Sequence, residues 1–155
     1  MPYSINKDFL KASNYLESKQ YKKALSLFLA LHSSGIKDGD LNIGYIYEKQ
    51  GKVKKAKKWY KKMARKYQDT GAMINLALLY RDEYRLKEAK KWFKLASDLN
   101  DGDASLELAK LYLSEAKIEK AKKYFEITLN SHDLCESSIN DAKKYLKRLQ
   151  NESVI

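Results

Sequence analysis

The sequence predicts an all-α chain: an α-solenoid of four helix-turn-helix repeats, each of about 32–33 residues, followed by a C-terminal capping helix. Three observations predict it. Small residues recur at Ala12, Gly44, Ala77, Ala109 and Ala142, and three residues after each stands a tyrosine: Tyr15, Tyr47, Tyr80, Tyr112 and Tyr145. Twelve residues after each of the first four small residues comes Ala24, Ala56, Ala89 or Ala121, with an aromatic four further on, Phe28, Tyr60, Phe93 or Phe125. The single proline, Pro2, lies outside every repeat, so no helix is interrupted by proline.

Each element follows from these spacings. A small residue and an aromatic three or four apart share one helix face, so each unit reads as two amphipathic helices whose small residues let the partners approach closely. A short turn such as Lys49-Gln50-Gly51-Lys52 joins them, and the second helix is entered through Tyr21, Val53, Leu86 or Ile118. Between units lie Ser33-Ser34-Gly35 with Lys37-Asp38-Gly39-Asp40, then Asp69-Thr70-Gly71, then Asn100-Asp101-Gly102-Asp103. These combine helix-stopping Gly with N-capping Asp or Thr. The repeats are expected at about 5–36, 37–69, 70–101 and 102–134, with the cap at about 136–150, all within one domain spanning 1–155. The cap carries Lys143, Lys144, Lys147 and Arg148 and supplies the neighbour that a terminal repeat otherwise lacks.

The stretches Leu41 to Ala64 (LNIGYIYEKQGKVKKAKKWYKKMA) and Ile74 to Ala96 (INLALLYRDEYRLKEAKKWFKLA) resemble tetratricopeptide repeats and the related Sel1-like repeats. The first helix, Asn-apolar-small-x-x-Tyr, fits both families. The twelve-residue step between small residues is similar to the tetratricopeptide version, and the Lys-Ala-x-x-Trp-Tyr and Glu-Ala-x-x-Trp-Phe helices to the Sel1-like one. The resemblance runs from Ile5 to Leu149. Its period is slightly short for tetratricopeptide repeats, and the proline that often closes a unit is absent. It implies an α-solenoid that acts as a protein-interaction scaffold, with a concave groove for peptide segments.

Composition narrows the function classes. The chain has 155 residues, 44% hydrophobic and 33% charged, enough for one ordinary core, with no apolar run of membrane-spanning length, and no secretory leader is expected. A cytoplasmic protein is expected. One cysteine, Cys135, excludes an internal disulfide, and with two histidines a structural metal site is not expected. His132 and Cys135 are read as a loop imidazole and a partly buried thiol, His32 as a residue suited to a helix C-terminus, and Trp59 and Trp92 as core. No phosphate loop, nucleophile-base pair or ligand cluster can be assembled, so neither enzyme activity nor a cofactor is expected.

Two surfaces remain for function. On the first helices, the positions roughly opposite the buried stripe are Asn42, Tyr45 and Lys49; Asn75 and Leu78; Glu107 and Lys110; Asn140 and Lys143, with Glu48 and Arg81 nearby, and the resemblance implies that this stripe lines a partner-binding groove. Amides such as Asn42 and Asn75 can hold a peptide backbone, and Tyr45 offers contact area at low rotamer cost. On the second helices, the residues just after the Ala form a candidate basic convex face: Lys57, Lys58 and Lys61, then Lys90, Lys91 and Lys94, then Lys122 and Lys123. The net charge of +11 comes from 27 lysines and four arginines against 20 acidic residues, and Lys52 to Lys66 holds nine basic residues and no acidic one. An acidic protein face could use such a surface.

The first second-helix departs from the rule. Ala24 to Leu31 is apolar nearly all round, with Leu25 and Leu29 where later repeats carry lysine, so a cover is expected. The candidates are the N-terminal segment around Tyr3 and Ile5, a partner, or a second copy in a homodimer. Two other roles compete with the scaffold: a bacterial immunity or antitoxin-type inhibitor of an acidic toxin, and a nucleic-acid binder, which the lack of a nucleic-acid motif disfavours.

Overall fold

The computed structural model describes residues 7–131 and 134–152, and the regular elements among them are all helices. They are α1 (Lys7–Glu17), α2 (Tyr21–Ser33), α3 (Asp40–Lys49), α4 (Val53–Tyr67), α5 (Thr70–Asp82), α6 (Leu86–Asp98), α7 (Gly102–Ser114), α8 (Ile118–Asn130) and α9 (Glu136–Glu152). The chain divides after Gln68 into two compact units. In the first, α1 packs on α2, α2 on α3 and α3 on α4; in the second, α5 packs on α6, α6 on α7, α7 on α8 and α8 on α9.

The small residues do what their spacing predicts. Ala12, Ala77, Ala109 and Ala142, and Ala24, Ala56, Ala89 and Ala121, are all fully buried, as are Phe28, Tyr60, Phe93 and Phe125. A methyl-sized or absent side chain at each crossing lets the paired helix bring its aromatic ring onto the backbone. Gly44 shows why one repeat needs glycine: a Cβ there would sit 2.5 Å from Cε1 of the Tyr60 ring. That ring is anchored by its hydroxyl, which donates to Glu48 Oε2 at 2.9 Å, so it cannot step aside.

Each hairpin turn reverses through one left-handed residue at an equivalent position: Lys19, Gly51, Tyr84 and Ala116, with φ of 57°, 71°, 57° and 55°. In each, the next N–H donates back to the carbonyl of the repeat tyrosine, as Lys52 does to Tyr47 at 2.8 Å and Lys117 to Tyr112 at 2.9 Å. This pairing satisfies carbonyls that a helix end leaves open. Asp69 and Asp101 cap α5 and α7 through Oδ1, accepting from the N–H groups of Ala72 (2.7 Å) and Ala104 (2.9 Å).

The tyrosines qualify the sequence reading, which faces them all to the core. Tyr80 is buried, whereas Tyr15, Tyr47, Tyr112 and Tyr145 are half-buried. Three of these carry a lysine eight residues on over the ring face: Lys23 over Tyr15 at 5.2 Å, Lys55 over Tyr47 at 5.5 Å and Lys120 over Tyr112 at 5.6 Å. In the third repeat that position is Glu88; Arg85 covers Tyr80 at 4.7 Å instead and donates to Glu88. A cation over a ring lets the tyrosine stay half-wet without cost to the packing below. Tyr145 of α9 stacks on Phe125, 5.0 Å between centroids, which seats the last helix on its repeat.

Candidate functional site

The positive excess of the chain has an address. Residues 1–68 hold 16 basic and five acidic side chains; residues 69–155 hold 15 of each. All of the +11 therefore belongs to the first unit.

Within that unit seven lysines line two clefts beside the second helices. One, about 900 Å³, is floored by Tyr21, Leu25 and Leu29 of α2, with Lys19, Lys22, Lys23 and Lys52 around it. Leu25 and Leu29, the predicted contact residues, pack on the core cluster of Ala12, Ala24, Phe28, Leu31, Ile43 and Ile46 yet remain half-exposed. The other, about 590 Å³, is lined by His32 of α2, Tyr47 of α3, and Lys55, Lys58, Trp59 and Lys62 of α4.

His32 and Trp59 are organised by an inner hydrogen-bond chain. His32 Nδ1 lies 2.7 Å from Oδ1 of Asp40, which is fully buried at the start of α3. Because a carboxylate only accepts, Nδ1 carries the proton and Nε2 presents a lone pair. Lys62 Nζ sits 3.0 Å from Nε2 and donates to it, and lies 4.8 Å over the Trp59 ring. His32 meets the same ring edge-on at 4.8 Å, and Lys37 Nζ donates to the His32 carbonyl at 2.8 Å. His32 does stand in the last turn of its helix, but it also fixes the cleft wall. Trp59 corrects the sequence reading: Trp92 is buried in the core, while Trp59 is half-exposed in the cleft.

The predicted groove residues divide by unit. On α3, Asn42 and Glu48 are half-buried, Tyr45 and Lys49 are exposed, and Lys49 lies 5.0 Å over the Tyr45 ring. Glu48 is drawn inward by Tyr60. In the second unit the charged members join one another. Arg81 Nη1 donates to Glu107 at 2.6 Å, Lys110 to Glu107 at 3.2 Å, and Lys110 reaches Asp141 at 3.5 Å. Burial works against the Lys110 charge, yet Glu107 and Asp141 still hold its pKa above the usual lysine value. Asn75 and Leu78 are half-buried on α5; Asn140 and Lys143 are exposed on α9.

The convex-face lysines divide the same way. Lys57, Lys58 and Lys61 stand on α4, a helix without an acidic residue. On α6, Lys90 pairs with Glu115 and Lys94 donates to Asp98 at 2.6 Å, leaving Lys91 exposed nearby. On α8, Lys122 approaches Glu119 at 3.4 Å, and Lys123 is exposed. The sequence signal for this asymmetry was the acid-free run from Lys52 to Lys66; the cleft around His32 had no signal, because its parts come from three helices.

Cys135 is exposed rather than partly buried. Hydrogen bonds from the Ser137 hydroxyl, then from Ser138, hold its thiol below the usual cysteine value. His132, Tyr3 and Ile5 lie outside the described residues. Among the described residues no three His, Cys, Asp or Glu gather as metal ligands, and no helix is long and apolar enough to cross a membrane.

The family model for the tetratricopeptide repeat matches residues 41–64 and 70–103. Over those two stretches the chain is similar to tetratricopeptide repeats. Solved structures with the same fold include a tetratricopeptide repeat protein from Parabacteroides merdae (TM-score 0.70, 15% identity, covering 94% of this chain and 60% of that one). A Sel1 repeat protein from Oxalobacter formigenes gives 0.62 at 25% identity, covering 79% and 54%. MamA gives 0.62 at 17%, covering 92% and 94%. This repeat protein thus spans less than two thirds of the first two chains. No curated protein matches its sequence. Proteins built of tetratricopeptide repeats are generally scaffolds for protein-protein interaction.

Proposed function

We propose that this repeat protein, with residues 1–155 working as one domain, is a protein-interaction module that binds an acidic protein surface through the outer faces of α2 and α4. The observation that carries the reading is the placement of the entire +11 in the first unit, where seven lysines line two clefts with apolar or aromatic floors. Lysines around a non-polar floor attract an acidic partner at a distance and hold it by desolvated contact once docked. The first-helix face of α3, with the Asn42 amide and the Tyr45 ring, offers a second contact for an extended peptide. An inhibitor that occludes an acidic toxin would use the same surface and differ in having one tight partner.

Fluorescence anisotropy with labelled poly-L-glutamate tests this. Replacing Lys55, Lys58 and Lys62 together with Glu should weaken binding by about tenfold or more, and raising salt from about 50 to about 300 mM should do likewise. Lys91→Glu with Lys94→Glu on α6 should change it less than about threefold. Equal losses in the two variants would remove the assignment to the first unit. Single-stranded DNA bound more tightly than polyglutamate would give the surface to nucleic acid.

A further inference from the structure

Building on that reading, we propose that the partner element seated on the first unit is an acidic amphipathic helix, lying in the trough between α2 and α4. On α2, Lys22, Leu25, Leu29 and His32 fall on one face, spanning about 15 Å at the helical rise. On the α4 side, Lys52, Lys55, Trp59 and Lys62 recur at helical spacing along the matching face. The two clefts share these faces, so the aliphatic floor at Leu25 and Leu29 leads toward the aromatic floor at Tyr47 and Trp59.

The arrangement selects the occupant's geometry. Lysines border the apolar floor from both helices: Lys22 and Lys23 in the first turn of α2, Lys52 just ahead of α4, and Lys55, Lys58 and Lys62 along α4. A strand sends alternate side chains to opposite faces, so its acidic residues would point away from the lysines when its apolar ones point down. A helix flanks its apolar stripe with residues projecting sideways, and acids there meet both rims at once. Charge also sets aside two other occupants. Residues 1–6 contain no acidic side chain, and a second copy would bring the same lysines face to face.

The test uses the full chain and three synthetic peptides of about 16 residues. The first places Leu at positions i, i+4 and i+7 with Glu flanking; the second has the same composition with Leu on alternate residues; the third replaces every Glu of the first with Lys. The first should bind at least about tenfold more tightly than the second, and the third should not bind. Leu25 and Leu29 pack on the core, so the blocking variant is Ser26→Arg, at an exposed position that lines the trough. It adds a positive charge while filling the space, so weaker binding of the first peptide would mark shape rather than charge as the cause. Equal affinity for the first two peptides, or indifference to Ser26→Arg, overturns the helix while leaving an acidic-surface reading intact. Failure to bind either acidic peptide overturns both. A dimer in sedimentation that Ser26→Arg dissolves would give the trough to a second copy, and tighter peptide binding after removal of residues 1–6 would give it to the chain's own leader.

Discussion

At the junction of α2 and α3 a buried carboxylate meets an imidazole; at the equivalent junction of α6 and α7 two serine hydroxyls meet. His32 and Ser97 each lie eight residues beyond the second-helix alanine, and Asp40 and Ser105 each lie four before the first-helix small residue. The distances match, 2.7 Å in both. One frame thus closes its repeat junction with an imidazole–carboxylate hydrogen bond in the first unit and a hydroxyl–hydroxyl one in the second. The outer faces follow suit, since the first unit carries an acid-free α4 and the second interleaves its lysines with Glu115, Asp98 and Glu119. The comparison teaches that the fold is held by positions both units share, while the junctions and outer faces are free to diverge.

The sharpest way to break this comparison is at the two junctions. Asp40 Oδ2 is buried without a hydrogen-bond partner, so the Nδ1–H donated to Oδ1 is the side-chain hydrogen bond that holds this carboxyl group. His32→Ser should cost about 1.5–3 kcal/mol in chemical denaturation, as expected for removing the hydrogen bond to a buried carboxyl group. The double variant with Asp40→Ser, which copies the second unit's junction, should recover at least half of that loss. Ser105→Ala should cost about 1–3 kcal/mol, the penalty of leaving a buried hydroxyl unpaired. A His32→Ser protein as stable as the parent would mean that the carboxylate finds other compensation and that the junctions are not equivalent in energy.

The shared positions offer a second comparison. Gly44→Ala should cost about 1–3 kcal/mol, because the new methyl meets an anchored Tyr60 ring. Adding Tyr60→Phe releases the hydroxyl from Glu48 and reproduces the Ala-Phe pairing of the other repeats, so the double variant should lose less than Gly44→Ala alone. Ala77→Gly in the second unit should cost only the helix-interior glycine penalty of about 1 kcal/mol. Additive losses in the double variant would show that ring and notch are not coupled.

These pairs also show how much the sequence discloses. The alanine and aromatic periodicity is legible because burial at a helix crossing admits few side chains, and repetition writes the same restriction four times over. The half-wet tyrosines were less so: their covering cations sit eight residues on, across a turn, and in the third repeat the lysine has become Glu88 with Arg85 in its place. The lysine excess was visible, and so was the odd apolar helix with Leu25 and Leu29. The cleft joining His32, Tyr47 and Trp59 was not, because no local spacing links side chains on three helices. The equivalence of Trp59 and Trp92 in the repeat suggested equivalent burial, and the fold separates them.

The hairpin turns supply a smaller contrast. Gly51 adopts its left-handed φ of 71° at no steric cost, while Ala116 takes 55° with a side chain to accommodate. Gly51→Ala should destabilise by about 1–2 kcal/mol, and Ala116→Gly should stabilise by up to about 1 kcal/mol, less what the freer unfolded chain takes back. Midpoints of urea unfolding measure both; a loss of stability in Ala116→Gly would mean that its methyl group packs usefully in the turn.

The smallest expected effect separates the units by pH. Hydrogen bonds from Lys117 and then Lys90 hold the Glu115 carboxyl below its ordinary range. A carboxyl whose folded value is lowered contributes stability above its unfolded pKa, near 4.3, and that contribution is lost as the pH falls through the lower folded value. The α7–α8 turn should therefore loosen in mild acid by about 0.2–1 kcal/mol, in keeping with a surface pair. Helix α4 has no acidic residue of its own to lose. Amide exchange followed from about pH 5 to about pH 3 should show protection near Glu115 falling relative to α4 after correction for intrinsic rates. Glu115→Gln should abolish that difference, since it keeps the shape and removes the titrating group. Parallel loss in the two units would show that the ion pairs of the second unit decorate its surface without holding the turn.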